Sequence, residues 1–576
     1  MWETKEDIMG EKKKMRSEVK GNVKNSIGRI AFAAIAVLLQ IGWILVLMVK
    51  LYQYSSVISL LTSLLALVVA LRIYGKHSNA AFKMPWIIVI LAFPVFGLCI
   101  YGLFGHKEVM HKIIRRFEEI DSKLYPLNLQ DETVMQHLEE EDPLLANQCR
   151  YTQKYGNYPV YEGTDVKFYP EAYLGFEEQL QELEKAKSFI FLEYHAIEEA
   201  EAFARLKDVL TRKAAEGVEV RILYDDVGCI GFLDKSFIER MNAIGAQCRV
   251  FNYVVPFLNI FMNNRDHRKI MIIDGKVGFT GGYNLADEYF NITHPYGYWK
   301  DTGVKLTGPA VKNFTEMFLE MWNVMGQTDT DFAKYLTLEP AEKYGKDTDA
   351  NSVKCMTEAN ADEMHVNAAE NDSEKPVVAE AQREDTSSAQ NECKGYVQPY
   401  ADSPLDGEPV GENVYLNLIK TARKRLYVST PYLIISDEMT RELGLAAKRG
   451  VDVRVFTPGI PDKKIIYGVT RSYYSGLVRQ GVRIYEYTPG FLHAKQMLCD
   501  EDTATVGTIN MDYRSLYHHF ENGVWMHGCA AIRDIEADFE TLLHDSEEVT
   551  DKYRDGRKNM AVRGWQCIMR LIAPLL

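Results

Sequence analysis

The chain has 576 residues, 47% of them hydrophobic, and a formal net charge of −14. That length can bury two sizeable cores, and the acidic balance argues against non-specific nucleic-acid binding, which needs a basic surface. It leaves an anionic lipid substrate open, because only a local site must then be positive. Nine cysteines without a CxxC pair, a metal-ligand spacing or a disulfide framework fit a reducing compartment and argue against a zinc site.

Residues 1–29 read as a basic cytoplasmic tail, with Lys12–Lys14, Arg16, Lys20, Lys24 and Arg29 ahead of the first apolar run. No small-residue cleavage site follows that run, so the sequence predicts an anchor rather than a signal peptide. Residues 30–104 form this predicted membrane anchor, in two to three apolar segments. Ile30–Val49 holds no charge and is long enough to span a bilayer. Val57–Leu71 is shorter, and Met84–Phe104 is broken by Pro94, Gly97 and Gly102. Basic residues at the N-terminus, across Arg72–Lys83 and across Lys107–Arg116 favour the cytoplasmic side at all three places. Three full spans cannot satisfy them. A hairpin followed by a kinked, re-entrant third segment can, and so can two spans with other boundaries. The expected location is the cell membrane, multi-pass, with the catalytic domains on the cytoplasmic side.

Residues 105–160 read as a linker. From about Phe189 short strands alternate with amphipathic helices, and the pattern recurs. Phe189–Tyr194 matches Leu426–Thr430, Ala214–Arg221 matches Ala447–Arg454, and Ile244–Val250 resembles Arg479–Ile484. The predicted organisation is therefore a first α/β domain over 161–340 and a second over 396–550, each running strand, helix, strand, helix, strand, then hairpin.

The hairpins carry the chemistry. The first reads His267-x-Lys269, then Asp274, then Gly281-Gly282-x-Asn284; the second reads His493-x-Lys495, Asp500 and Gly507-Thr508-x-Asn510, in the same spacing. Imidazole titrates near neutrality and can attack as a base or donate a proton, and lysine is a mobile charge suited to a phosphate oxygen. Largely apolar residues follow each Lys, so each triplet starts a buried strand with His and Lys on one face. The small residues of the tail let backbone N–H groups and the Asn amide approach an anion. Two such half-sites place two His, two Lys and two Asn around one phosphate. Asp274 and Asp500 complete the catalytic triplets, and a brace across the hairpin is the physical task that suits them best.

Between the domains, 341–395 has thirteen acidic and six basic residues, one Tyr and no Phe or Trp. Such a segment cannot bury enough apolar surface to order itself and reads as a disordered insert. Residues 551–576 form a basic amphipathic segment, suited either to a membrane interface or to docking on the core.

With these motifs the chain resembles the phospholipase D superfamily, and its surroundings look like the bacterial cardiolipin synthase branch. The likeness also rests on Met84-Pro85-Trp86, Val397-Gln398-Pro399-Tyr400, Thr430-Pro431-Tyr432, Gly490–Lys495 and Asn510–Ser515. Departures are Thr508, where a Ser is common, and His518-His519, where the branch often has Leu-Asn. The resemblance implies an α/β fold of duplicated phospholipase D-like sandwich domains sharing one active site, preceded by transmembrane helices. It implies a phosphatidyltransferase that condenses two phosphatidylglycerols to cardiolipin and glycerol, acting at a membrane on anionic phospholipids, with no metal, cofactor or nucleic acid. One His would attack the lipid phosphate and the other would protonate the leaving group, then deprotonate the acceptor. First-half usage makes His267 the nucleophile and His493 the acid/base. Lys269, Lys495, Asn284 and Asn510 would hold the phosphoryl oxygens.

Aligning the halves matches Asp301-Thr302-Gly303-Val304 to Glu521-Asn522-Gly523-Val524. This predicts orienting carboxylates, Asp301 behind His267 and Glu521 behind His493; surface carboxylates at strand ends are the other reading. A phospholipase D-type hydrolase, or a transphosphatidylase of other phospholipids, shares every one of these groups. A nuclease of the superfamily or a non-catalytic scaffold fits the membrane segments and the paired motifs less well.

Overall fold

The computed structural model describes residues 56–77, 79–105, 111–234, 236–253, 263–326, 329–336, 395–554 and 560–575, with six isolated positions between 35 and 46. The basic tail, nearly all of Ile30–Val49 and the acidic insert lie outside the described residues.

The apolar N-terminal runs form helices. Ser56–Tyr74 is a Leu/Val/Ala-rich helix closed by Arg72 in its last turn. Met84–Phe104 becomes two short helices, Ala80–Ala92 and Pro94–Phe104, because Pro94 cannot continue the first and opens the second. They fold back closely at Gly97, where a Cβ would stand 2.4 Å from the Ile90 Cα. Ala66, Ile73, Ile90 and Tyr101 form the small core of this helical group. Among the described residues no helix is long and apolar enough to cross a membrane, so the spanning segments remain a sequence expectation.

The described part of 105–160, read as a linker, folds. His111–Leu124, Glu132–Glu141 and Pro143–Gly156 are helices whose apolar faces bury Phe117, Ile120, Met135, Leu138 and Cys149 in the main core. The physical reason is helical spacing: Phe117, Ile120 and Leu124 share one stripe.

The first lobe holds β1 Asp165–Tyr169, β2 Phe189–Tyr194, β3 Glu219–Asp225, β4 Gln247–Phe251, β5 Arg265–Asp266, β6 Lys269–Ile273, β7 Val277–Gly281, β8 Tyr298–Lys300 and β9 Gly303–Thr307. The second holds β10 Tyr396–Asp402, β11 Arg425–Ser429, β12 Leu433–Ile434, β13 Asp452–Pro458, β14 Arg483–Tyr487, β15 Gly490–Leu492, β16 Gln496–Cys499, β17 Thr503–Gly507, β18 Met511–Asp512, β19 His519–His527 and β20 Ser546–Glu548. The first sheet runs β1-β9-β7-β6-β2-β3-β4 and the second β10-β19-β17-β16-β11-β13-β14-β20. Apart from the added β20, the two orders correspond strand for strand, as a duplication requires.

Helices cover the sheets, so the central strands are buried on both faces; all six residues of β2 are buried. The helix Val311–Met325 has twelve of its fifteen residues buried. It packs against both β6 and β10 and so lies between the lobes. Asn313 donates from Nδ2 to the Pro159 and Pro399 carbonyls, tying that helix to the second sheet.

Two short ladders cross between the lobes. β5 pairs in parallel with β19, Arg265 opposite His519 and Asp266 opposite Phe520. β15 pairs in parallel with β8, Leu492 opposite Lys300. Each motif histidine thus follows a short strand that pairs with a strand of the other half.

Candidate active site

His267 and His493 each sit one residue beyond a cross-lobe ladder. The His267 N–H donates to the Phe520 carbonyl at 2.9 Å and the His493 N–H to the Lys300 carbonyl at 2.7 Å. The next residues on those partner strands are Glu521 and Asp301. His267 Nδ1 lies 2.9 Å from Glu521 Oε2, and His493 Nδ1 lies 2.6 Å from Asp301 Oδ2. The carboxylates do back the histidines, but in the crossed sense: Glu521 serves His267 and Asp301 serves His493, the reverse of the pairing expected from the aligned halves. The reason is the cross-lobe pairing, which sets His267 beside the start of β19 and His493 beside the end of β8.

A carboxylate accepts hydrogen bonds only, so each Nδ1 carries the proton and each Nε2 keeps its lone pair. For His493 this also orders a contest, since Lys495 Nζ stands 2.8 Å from the same Nδ1. The N–H is committed to the closer Asp301, which leaves Lys495 to donate elsewhere, including to the His493 carbonyl. Lys269 likewise donates to the His267 carbonyl.

The two carboxylates are held differently. Asp301 Oδ1 accepts from the Thr302 N–H at 3.0 Å, and it fits because its neighbour is Gly282, where a Cβ would stand 2.0 Å from that oxygen. In the other half Thr508 occupies the matching position, and its hydroxyl donates to Glu521 Oε2 at 2.5 Å while Ser515 donates to Oε1 at 2.6 Å. A longer acid with a hydroxyl partner replaces a shorter acid with a glycine.

Electrostatics favour an anion here. Burial, together with the neighbouring lysines, pushes His267 well below the usual histidine range and His493 down to about 4. Burial also pulls Lys269 down to about 8 and Lys495 down to about 7. Asp301, despite burial, is held below the usual carboxylate range, chiefly by His493 and Lys495. Two dry ammonium groups beside two imidazoles form a receptor for a phosphate, whose charge would restore all four groups toward their ordinary values.

The remaining predicted residues divide. Asp274 does not reach the cluster. It turns the β6–β7 hairpin at φ 54° and accepts from the backbone N–H groups of Lys187, Ser188 and Phe189. Asp500 does the same for Arg423, Lys424 and Arg425 at φ 55°. Both sit at the opposite end of the motif strand from the His, so their place is as braces rather than in the catalytic set. Asn284 uses both ends of its amide within the protein, accepting from the Ala196 N–H and donating to the Tyr289 hydroxyl. Asn510 is buried, and its Oδ1 has no hydrogen bond.

Sequence reasoning missed the aromatic surroundings. Tyr289, Trp299 and Phe491 ring His493 at 5.5, 5.2 and 5.7 Å between centroids, while His195 and His519 flank His267 at 4.9 and 5.4 Å. It also missed Arg268, the middle residue of the first motif. By strand alternation Arg268 points away from the site, with Nε 2.8 Å from Glu193 Oε1, toward a cavity of about 220 Å³ shared with Asp121, Glu320 and Asp402. That alternation was available in the sequence.

Two lobes of one strand order, joined around twinned His-Lys pairs, define a duplicated phospholipase D-like fold with a single composite site. The family model described as "Cardiolipin synthase, PLD-like domain" matches residues 180–322 and 415–543, and the Phospholipase D–nuclease N-terminal model matches 63–106. Cardiolipin synthase 2 of Bacillus anthracis is 31% identical over 519 residues, covering 89% of this chain and 90% of that protein. A Streptococcus mutans protein is 39% identical over 497 residues, 86% of this chain and 96% of its own. The crystal structure of a phosphatidylserine synthase from Haemophilus influenzae overlays with a TM-score of 0.51 at 12% identity, covering 74% of this chain and all of that one, a likeness of fold. The chain belongs to the cardiolipin synthase family of phospholipase D-like enzymes.

Proposed function

We propose that this enzyme condenses two phosphatidylglycerol molecules into cardiolipin and glycerol through a phosphatidyl-histidine intermediate. His267 Nε2 attacks the phosphorus of the first lipid. The bond to the glycerol headgroup breaks, and His493, which enters the cycle as an imidazolium because the bound phosphate's charge raises its proton affinity, donates its Nε2 proton to the departing alkoxide. His493 then takes the proton from a headgroup hydroxyl of the second lipid, whose oxygen attacks the same phosphorus and expels His267. Protons balance over the cycle, and His493 returns to its starting state.

The observation that supports this reading best is the pair of crossed carboxylates. Each holds the Nδ1–H of one histidine, leaving Nε2 as the reacting nitrogen: the attacking lone pair on His267 and the proton carrier on His493. Lys269 and Lys495 supply charge for the phosphoryl oxygens, and Asn510 supplies an amide. Asn284 would join only by releasing Tyr289 or Ala196. The apolar N-terminal helices and the exposed Trp565 and Ile568 of the C-terminal helix favour a membrane-bound enzyme, and the basic residues flanking the apolar runs favour the cytoplasmic side for its catalytic lobes. That helix also docks on the body through Met569, packed with Val469 and Tyr513.

Purified full-length enzyme given labelled phosphatidylglycerol in vesicles, followed by lipid chromatography, tests this directly. Cardiolipin with equimolar glycerol is expected. Phosphatidic acid as the main product would mean that water is the acceptor and that the enzyme is a phospholipase D-type hydrolase.

A further inference from the structure

His519 stands beside the proposed nucleophile and takes no part in the reaction derived above. It is 9% exposed, and neither ring nitrogen makes a hydrogen bond. A buried imidazole without a well-formed hydrogen bond is costly, and a ligand would remove that cost. Its Nδ1 faces Glu521 Oε1 at 3.5 Å, while His267 Nδ1 faces the other oxygen of the same carboxylate at 2.9 Å. One ligand atom from each of His267, His519 and Glu521 falls within 4.8 Å of the others. Tetrahedral zinc with bonds of about 2.0–2.2 Å separates its ligand atoms by about 3.3 Å, so three atoms already within 4.8 Å of one another would close onto an ion by side-chain rotation. His195 is not part of the group, since its Nδ1 is engaged by the Asp266 carbonyl at 2.8 Å.

We propose that His267, His519 and Glu521 form an inhibitory site for a borderline divalent transition metal such as Zn²⁺. Two imidazoles and one carboxylate are a suitable ligand set for such an ion, with the fourth position left for water. The site contains no cysteine, so the absence of thiolate spacing in the sequence does not bear on it. Inhibition follows from the tautomer. The metal takes the Nδ1 lone pair of His267 and displaces the proton shared with Glu521. That proton moves to Nε2, and no proton is lost or gained overall. An Nε2 that carries a proton has no lone pair with which to attack phosphorus. The metal therefore acts as an off switch for the nucleophile. This inference rests on the assignment of His267 as a reacting group only for its inhibitory part; metal binding stands apart from it.

Co²⁺ serves as the spectroscopic probe, on tag-free full-length enzyme in detergent. One Co²⁺ per chain with the visible absorption of a four-coordinate site is expected, together with displacement by Zn²⁺. His519→Asn and His267→Ala should each abolish that absorption. Micromolar Zn²⁺ should lower turnover more than 10-fold in the unmodified enzyme, reversibly with EDTA, and less than 2-fold in His519→Asn, whose metal-free activity should be near normal. Should His519→Asn fold poorly, His519→Gln gives the same comparison. Absence of stoichiometric Co²⁺ binding would overturn the proposal, and so would equal Zn²⁺ inhibition in the His519 variants. An enzyme that binds Co²⁺ at this site but makes no cardiolipin would refute the proposed function and leave the metal site standing.

Discussion

Asp301 Oδ2 lies 2.6 Å from His493 Nδ1, although the two residues come from different halves of a duplicated chain. Glu521 and His267 repeat the relationship in the other direction. Neither half contains a complete His–carboxylate pair, so neither lobe can be functional alone. The crossed ladders β5–β19 and β8–β15 are the covalently cheapest way to achieve this, since they continue strands already present.

The crossed pairing separates the two carboxylates by the step each supports. Glu521→Gln keeps the shape of the side chain but loses the charge behind His267, so formation of the covalent intermediate should slow. Asp301→Asn should slow both leaving-group protonation and acceptor activation, the steps that use His493. Each loss should be on the order of 10²-fold or more, by analogy with triad carboxylates. Rapid quenching and measurement of acid-labile lipid on His267 distinguishes them. Near-normal turnover in both variants would return these residues to a purely structural role.

His267→Ala and His493→Ala should each abolish cardiolipin formation, and the double variant should be no slower than either. Groups that act on one phosphorus as a unit are non-additive in this manner. A single variant with substantial residual turnover would contradict a shared site.

Gly282 tests the same geometry from the backbone. A methyl at this position meets Asp301 Oδ1 at 2.0 Å, so Gly282→Ala must push the carboxylate off His493. Turnover should fall about as far as in Asp301→Asn, and combining the two changes should add little. The comparison needs only steady-state kinetics on the three proteins. Unchanged turnover in Gly282→Ala would show that Asp301 does not need its observed position.

Stability should depend on pH through Glu316, buried between the lobes with Asn128 donating to it. Burial, with the Glu320 charge adding, raises its carboxyl from 4.5 to about 8. A folded-state value above the unfolded one means that the proton is held more tightly in the folded protein. The resulting stability is full below pH 4.5 and drains away as pH rises toward 8, by at most about 1.4 kcal/mol per unit. Melting curves from pH 5 to 9 should therefore fall less steeply for Glu316→Gln, which cannot ionise, than for the unmodified protein. Parallel slopes would show that Glu316 already ionises in the folded state.

Much of this was legible along the chain. The two-fold repeat, the α/β class and the His-Lys pairs are local patterns: apolar runs of strand length, helical spacing, and motifs whose residues are neighbours in sequence. The bracing role of Asp274 and Asp500 also followed from their place in a turn, where an Asp at positive φ can collect the N–H groups of the adjoining strand start.

What only the tertiary structure decided was which half completes which site. Aligning the repeats sets Asp301 beside the His267 motif because both lie in one half and in one order. Pairing of β5 with β19 and of β15 with β8 is non-local, between residues more than 190 positions apart, and no periodicity in either strand specifies a partner. The same holds for His519, which becomes a neighbour of His267 only when β5 pairs with β19 of the second lobe. Local patterning sets which residues become strands and which faces are buried, whereas the choice of strand partner is made by the packing of the whole.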